Sequence, residues 1–371
     1  MRVGSLRLGG IIDRYVGGLF VAAYATALLL VVGLSLILFL ASHLDHFEPW
    51  EDGTTVATLD VVRFYLLNVP FLYLQVAPFV TAIAGLFTVS RMIRNNETVA
   101  MLSAGISAQR LLMPILLGGL AATAGMIGLR EWSALSIGPR RDALYDMLEE
   151  QRREPVFESV WFKDRNGDVV HIGRFQPSTG SPPVAELVDV EVTSKRRNVY
   201  ILQSAQRAVW VSTPEGPRWA VEGGTWEEVD DRKTRRPIGQ LEDLEFTPRD
   251  ILMSIKGQDR PLELSFLEID ALARRDPDNT EYQTLLQYNL TFPLANIVLL
   301  LVALPLMMGR ERGRQVEGLV AGCLLCVVYF AVDFVSRALG MEGTLSPLVS
   351  SWLPVLLFGS LGVALFESAR S

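Results

Sequence analysis

The amino-acid sequence predicts an α-helical, multi-pass membrane protein with a separate β-rich domain inserted midway. Three observations carry that expectation. The 371-residue chain is 50% hydrophobic and 20% charged, with a mean hydropathy of +0.28. That is too apolar for an ordinary soluble enzyme and too charged for membrane spans alone. The charges are segregated: residues 131–284 hold 50 of the 75 charged side chains and all four lysines, Lys163, Lys195, Lys233 and Lys256. The rest of the chain contains six apolar runs, each near the roughly 20 residues that a helix needs to cross a bilayer. A single globular core is excluded. Net charge divides in the same way, about −8 in the middle segment and about +1 elsewhere. No concentrated basic face is left for nucleic acid.

The first apolar run, Val16 to Ala41, follows Arg2, Arg7 and Arg14. It is too long for the apolar core of a signal peptide, and no small-residue cleavage site follows promptly, so it reads as a retained span. The second runs from about Val61 to Val89 and the third from Leu111 to Leu129. After the charged segment come Leu285 to Met308, Val316 to Leu339 and Pro347 to Phe366. The organisation expected is three spans in 1–130, an inserted domain in 131–284, and three spans in 285–371. Arg2, Arg7, Arg14, Arg91, Arg94, Arg110, Arg310, Arg312, Arg314 and Arg370 collect on one side of these spans. The loop from Ser42 to Asp60 on the other side has five carboxylates and no Lys or Arg. Positive loops stay cytoplasmic, which places both termini in the cytoplasm and the inserted segment outside it.

Several spans carry polar or helix-disturbing residues. The second has Asn68, Pro70, Gln75 and Pro78; the fourth has Asn289, Pro293, Asn296 and Pro305. Proline is tolerated in a membrane helix where neighbours satisfy the freed carbonyls. The two sets occupy different positions in the two halves, so they make no clean inverted repeat. Asp333 and Arg337, four apart in the fifth span, can pair on one helix face; alternatively Arg337 snorkels to the interface. Cys323 and Cys326 lie in the same apolar run without a second pair, and read as small packing residues.

Within 131–284 the periodicity changes. Ser159–Lys163, Val169–Phe175, Leu187–Thr193, Val199–Leu202, Ala208–Val211 and Trp219–Glu222 are short β-prone runs. Asn166-Gly167, Pro182-Pro183, Pro214-Glu215-Gly216 and Gly223-Gly224 punctuate them, a spacing that predicts an antiparallel sandwich or open barrel. Arg140–Arg153 reads as a short polar helix, and Leu264–Arg275 as an amphipathic one leading back to the membrane. No catalytic constellation accompanies these elements. The sequence contains no G-x-S-x-G, H-E-x-x-H or Walker pattern, and His171 sits in an alternating strand, where a structural role is expected. His43 and His46, with Asp45 and Glu48, have the spacing of a metal site, but a single such pair among acidic loop neighbours reads as an ordinary interfacial loop. No enzyme, no metal and no cofactor bound by this chain are expected.

The most informative stretch joins the second and third spans, from Ser90 to Ser107: SRMIRNNETVAMLSAGIS. Asn95 or Asn96 can cap a short helix, and Glu97 in its first turn is favoured by the helix dipole. Val99, Ala100 and Leu102 give that helix apolar surface, Gly105 ends it, and Ser107 can cap the next. A short amphipathic helix held between two spans suits the transmission of motion from a cytoplasmic partner; it also fits a simple interfacial helix.

This block resembles the LptF/LptG (YjgP/YjgQ) permease family, the membrane subunits of the lipopolysaccharide-exporting ABC transporter. The match lies in basic residues, Asn-Glu, then V-A-M-x-x-A-G-I-S. Tyr288-Asn-Leu-Thr-Phe-Pro-Leu-Ala-Asn296, leading to Ala303-Leu-Pro-Leu306 and the Arg310–Arg314 cluster, is also similar, as is Ile12-Asp-Arg-Tyr15. The resemblance covers the whole architecture. It implies a periplasmic β-jellyroll-like domain and a coupling helix near 91–106 that docks on a separate ABC ATPase dimer. Glu97 matches the family's acidic docking residue, flanked by Arg91, Arg94, Val99 and Gly105. It further implies a paralogous six-span partner, extraction of lipopolysaccharide or a related anionic glycolipid from the inner membrane, and its delivery to a periplasmic β-jellyroll bridge. ATP would be hydrolysed by the partner.

One departure concerns lipid binding. Basic residues near the outer end of the first span are associated with it in one branch of the family, and here that region reads Ser42-His-Leu-Asp-His46. Arg63, Arg130 and Arg337, at the outer ends of three different spans, are the substitute candidates for an anionic head-group site; each alone also reads as a snorkelling anchor. Two further readings compete with the permease. One is a non-transporting anchor whose β domain is a structural or protein-binding bridge. The other, an ion-coupled transporter, wants more intramembrane carboxylates than Asp333.

Overall fold

The structure, a computed structural model, describes residues 10–43, 58–149, 156–164, 166–179, 184–196, 199–213, 216–229, 235–241, 246–308 and 315–368. Two compact units share the chain. One comprises 1–45, 65–137 and 283–371; the other comprises 46–64 and 138–282. Among the described residues, six helical segments are long and apolar enough to cross a membrane: Ile11–Ala41, Leu59–Arg94, Ala108–Tyr145, Thr280–Met308, Val316–Met341 and Pro347–Ser368. With a separate antiparallel sheet between the third and fourth, the chain is a multi-pass helical membrane protein with an inserted β domain.

The helices of the first unit are α1 (Ile11–His43), α2 (Thr58–Arg94), the short α3 (Glu97–Ser103) and α4 (Ala108–Trp132). A π-helical turn, Ser133–Ile137, links α4 to α5 (Gly138–Glu149), which covers most of the polar helix expected from Arg140. The fourth apolar run is not one helix. It is α8 (Thr280–Thr291), a 3-10 turn at Phe292–Leu294, and α9 (Ala295–Met308). Pro293 is the cause, since it lacks an N–H and its ring crowds the preceding turn. The last two spans are α10 (Gln315–Met341) and α11 (Pro347–Ser368).

Burial makes α9 the hub of this unit. Leu299, Leu300, Val302, Ala303 and Leu304 are fully buried. Leu300 sets one δ-methyl against Gly85 of α2 and the other against Gly119 of α4, and a Cβ at either glycine would collide with it. Small residues let membrane helices approach this closely, and packing rather than hydrophobic transfer then holds them together. Conversely Leu29, Leu30, Leu34 and Leu38 of α1 and Leu324, Val327 and Phe334 of α10 are exposed, the apolar surface a bilayer requires. Cys326 is buried beside Tyr329 and Phe358, and both cysteines are free.

The second unit is built on β1 (Phe157–Lys163), β2 (Val169–Thr179), β3 (Val184–Arg196), β4 (Val199–Thr213), β5 (Gly216–Val229) and β6 (Arg235–Gln240). The runs Val199–Leu202 and Ala208–Val211 belong to one long strand, β4. β6, with a single buried residue, has too weak an apolar signal to be anticipated. All neighbours are antiparallel and in chain order, β1-β2-β3-β4-β5-β6. Among the described residues that order is an antiparallel meander.

The meander is creased. Buried positions in β2 run Val170, Ile172, then Phe175, and in β3 Ala185, Leu187, then Val190, Val192. The alternation therefore slips by one at Gly173 and at Asp189. Cα pairing is interrupted along the same line, Ser159–Gly173–Asp189–Gln206–Gly223. Ser159, Asp189 and Gly223 on it have φ of 53°, 53° and 64°. One extra residue per strand, in register, bends the sheet without shifting it, and a single core takes side chains from both sides of the bend. α6 (Pro248–Asp259) and α7 (Phe266–Arg275) follow, each opened by a capping box, Thr247/Asp250 and Ser265/Glu268. α6 contributes Ile251 to the sheet's core; it was not anticipated, while α7 matches the expected amphipathic segment.

Candidate functional site

The segment between the second and third spans is built by its turns. Asn95 and Asn96 close the end of α2, with Asn95 N–H donating to the Arg91 carbonyl (3.0 Å) and Asn96 N–H to that of Ile93 (3.0 Å). Asn96 occupies the N-cap of α3 in the left-handed region (φ 63°) with no side-chain capping bond. Asparagine tolerates that conformation better than most residues. α3 ends in a Schellman motif: Ile106 N–H donates to the Met101 carbonyl (3.2 Å) and Gly105 N–H to that of Leu102 (3.0 Å). Gly105 sits at φ +82°, where it avoids a Cβ penalty. Ser107 then caps α4, accepting from Arg110 N–H.

Held this way, α3 faces two environments. Thr98 is buried and Met101 packs on the helical core. Val99 (64% exposed) and Leu102 (41% exposed), three residues apart, share the outer face with Ala100, Ser103 and Ala104. Glu97 is pinned between the two faces. Tyr15 of α1 donates its hydroxyl to Glu97 Oε2 (2.9 Å), and Asn95 Nδ2 donates to Oε1 (3.0 Å). Arg91 and Arg94 are exposed in the last turn of α2, where the helix dipole favours cations. The structure therefore brings Arg91, Arg94, Glu97, Val99 and Gly105 onto one short segment.

The other candidates are placed less uniformly. Arg130 is buried in α4 (8% exposed) within electrostatic reach of Tyr288. Arg337 stacks its guanidinium over the same Tyr288 ring at 4.5 Å, a cation–π arrangement. These two arginines thus converge on one tyrosine of α8. Arg63 falls in the second unit, exposed in the second turn of α2. Asp333 is buried within electrostatic reach of Arg337. His171 stacks on Trp161 at 4.1 Å between ring centroids. The side chains of His43, Asp45, His46 and Glu48 lie outside the described residues, as do Arg310, Arg312, Arg314 and Arg370. Among the described residues no group of three or more His, Cys, Asp or Glu could hold a metal.

Residue reasoning missed a buried polar knot at the helix break. Thr81 of α2 donates to Asn296 Oδ1 (2.7 Å), and Asn296 Nδ2 donates to the Pro293 carbonyl (2.8 Å). Thr123 of α4 donates to that same carbonyl (3.1 Å). Three spans are thereby tied at a point where the interrupted helix leaves acceptors to satisfy. Neither this knot nor the Tyr15–Glu97 bond has a local signature, because the partners are 215, 170 and 82 residues apart. Comparison with known proteins adds a family. The model described as lipopolysaccharide export system permease LptF/LptG matches residues 14–368. No curated protein matches the chain closely enough to count.

Proposed function

Because the chain belongs to the LptF/LptG family of lipopolysaccharide export permeases, we propose that it is the transmembrane permease subunit of an ABC exporter. It sits in the inner membrane with both termini cytoplasmic and the β domain periplasmic, the orientation that arginine placement favours. It pairs with a paralogous six-span subunit, extracts lipopolysaccharide or a related anionic glycolipid, and passes it through the β domain to a periplasmic β-jellyroll bridge. ATP is hydrolysed by a separate cytoplasmic ATPase dimer, and this chain holds no cofactor of its own.

The observation that carries this reading is α3. Its two ends are fixed by an asparagine turn and a Schellman motif, one face is packed on the spans, and Val99 and Leu102 stand out from the other. A rigid knob of that kind transmits force only if a partner grips it. Glu97, engaged by Tyr15 and Asn95, links the knob to α1 and offers a carboxylate at its edge. The lipid head group is assigned to Arg130 and Arg337, which meet at Tyr288.

The test is co-purification of the ATPase with the exporter. Val99→Glu together with Leu102→Glu places two charges in the docking contact and should abolish it, while Ser103→Ala on the same helix should not. Undiminished ATPase recovery with the double variant would sink the docking assignment and favour the plain membrane anchor.

A further inference from the structure

The polar knot at the break in the fourth span has a spare degree of freedom. Thr81 Oγ1 lies 2.7 Å from Asn296 Oδ1 and 2.9 Å from the carbonyl of Ala77, one turn back on its own helix. Thr123 Oγ1 lies 3.1 Å from the Pro293 carbonyl and 2.9 Å from that of Gly119, again one turn back. A hydroxyl has one proton to donate. Each threonine therefore faces two acceptors with one donor, the first on the fourth span and the second on its own helix. The intrahelical alternative is a good bond, as Thr88 shows at 2.7 Å to the Ala84 carbonyl. Rotation about Cβ–Oγ moves either proton between its two acceptors with no heavy atom displaced. The fourth span can thus be released without stranding a buried donor, the costly outcome where all three side chains are at most 4% exposed. The Pro293 carbonyl keeps its bond from Asn296 Nδ2 (2.8 Å); Asn296 Oδ1 gives up the Thr81 donor.

The two sides of the break are held differently. Beyond it, Leu300 wedges α9 against Gly85 of α2 and Gly119 of α4. Before it, α8 is fastened to α11, where Ser351 donates to the Thr284 carbonyl (3.3 Å) and Trp352 Nε1 to Gln287 Oε1 (3.3 Å). Arg337 of α10 stacks on Tyr288 of the same helix. Tyr288 and Phe292 also join Leu74 of α2 and Met126 of α4 in an apolar cluster, a contact without directional demands. Between the two sides, the Phe292–Leu294 turn lacks the Pro293 N–H that would stiffen a continuous helix. We propose that Thr81 and Thr123 are positioning residues that latch a hinge at this turn. With their protons on Asn296 and Pro293, α8 is locked to α2 and α4. With their protons on Ala77 and Gly119, α8 swings about the turn while α9 stays wedged. Tyr288 rides on the moving segment, and α3 lies in the chain between the two helices of the fixed block, so a push on α3 is delivered at the hinge. Its use in export rests on the function proposed above; the hinge itself rests on the geometry.

Pulsed electron-spin distance measurements on the full chain in lipid nanodiscs test the latch without any partner. In a Cys323→Ala, Cys326→Ala background, labels attached through Leu286→Cys of α8 and Leu117→Cys of α4 report the swing. Labels through Phe87→Cys of α2 and Leu117→Cys report the fixed block. Thr81→Val with Thr123→Val keeps the side-chain shape and removes both protons. It should raise the swung-to-locked ratio at least about fivefold, the effect of losing one ordinary hydrogen bond. Thr81→Ser with Thr123→Ser should restore the original distribution, and Pro293→Ala, which returns the N–H, should narrow it. A merely structural knot would lower the Tm of the valine variant and leave the α8–α4 distances unmoved. That result, or a Pro293→Ala distribution as broad as the original, overturns the proposal. If the valine variant misfolds, seen as a changed α2–α4 distance, the Pro293→Ala comparison still decides. In the reconstituted exporter Pro293→Ala should lower the lipid released per ATP consumed, and an unchanged ratio overturns the hinge's part in transport. Failure of the unaltered chain to recruit an ATPase would instead count against the export reading, with the distances still judging the hinge.

Discussion

Glu97 shows how much the meaning of one residue depends on its partners. As a carboxylate in a helical first turn it is favoured by the helix dipole; with Tyr15 and Asn95 on its two oxygens it also joins α1 to α3. Tyr15→Phe removes one bond and no volume, so it should leave folding intact and lower the coupling of ATPase activity to transport. The ratio of ATP consumed to lipid released in proteoliposomes measures that; an unchanged ratio would make the bond ornamental. Gly105→Ala should cost roughly 1–2 kcal/mol, the price of a left-handed residue with a Cβ, and read out as a lower Tm in detergent. Asp250 offers a pH test. Burial pushes its carboxyl up, but bonds from Thr247 N–H and hydroxyl and the Arg275 guanidinium outweigh this and hold it below the ordinary carboxylate value. Its stabilisation is therefore fully present above that value and fades as pH falls through and below it. Asp250→Asn should lower the Tm at neutral pH and shrink the gap from wild type in acid. A gap constant with pH would show that the carboxylate's charge contributes nothing.

Packing between elements is where small side chains matter most. Leu300 is held by Gly85 on one side and Gly119 on the other, so rotating it away from one drives it into the other. Gly119→Leu should destabilise the helical unit by roughly 1–3 kcal/mol or more, the usual cost of overpacking, seen as earlier thermal unfolding than for a lipid-facing control such as Gly125→Leu, where a Cβ meets open space. In the sheet, the crease was invisible to strand-by-strand reading. Alternation along Val169–Phe175 or Leu187–Thr193 identifies a strand, but the slip at Gly173 and Asp189 has meaning only once they are aligned across strands. β6 and α6 were missed for a related reason: a single buried residue in β6, and in α6 a helix whose capping box and Pro start are plain but whose apolar face is short.

For the molecule as a whole, six apolar runs and a charged interlude suffice to identify a multi-pass membrane protein with an inserted domain, because bilayer thickness sets the length of a span and a core without water requires each span to satisfy its own backbone as a helix. Chain-local signals likewise mark α3, since caps and glycine C-termini act over three or four residues. Contacts are another matter. The Thr81–Asn296–Thr123 knot, the Tyr15–Glu97 bond, the convergence of Arg130 and Arg337 on Tyr288 and the Arg275–Asp250 pair all join residues separated in sequence. Hydropathy and periodicity report which surface a residue prefers, not which partner it meets. The type of fold and the position of the short helix between the second and third spans were written in local pattern; which polar groups are tied together emerged only when the chain was packed.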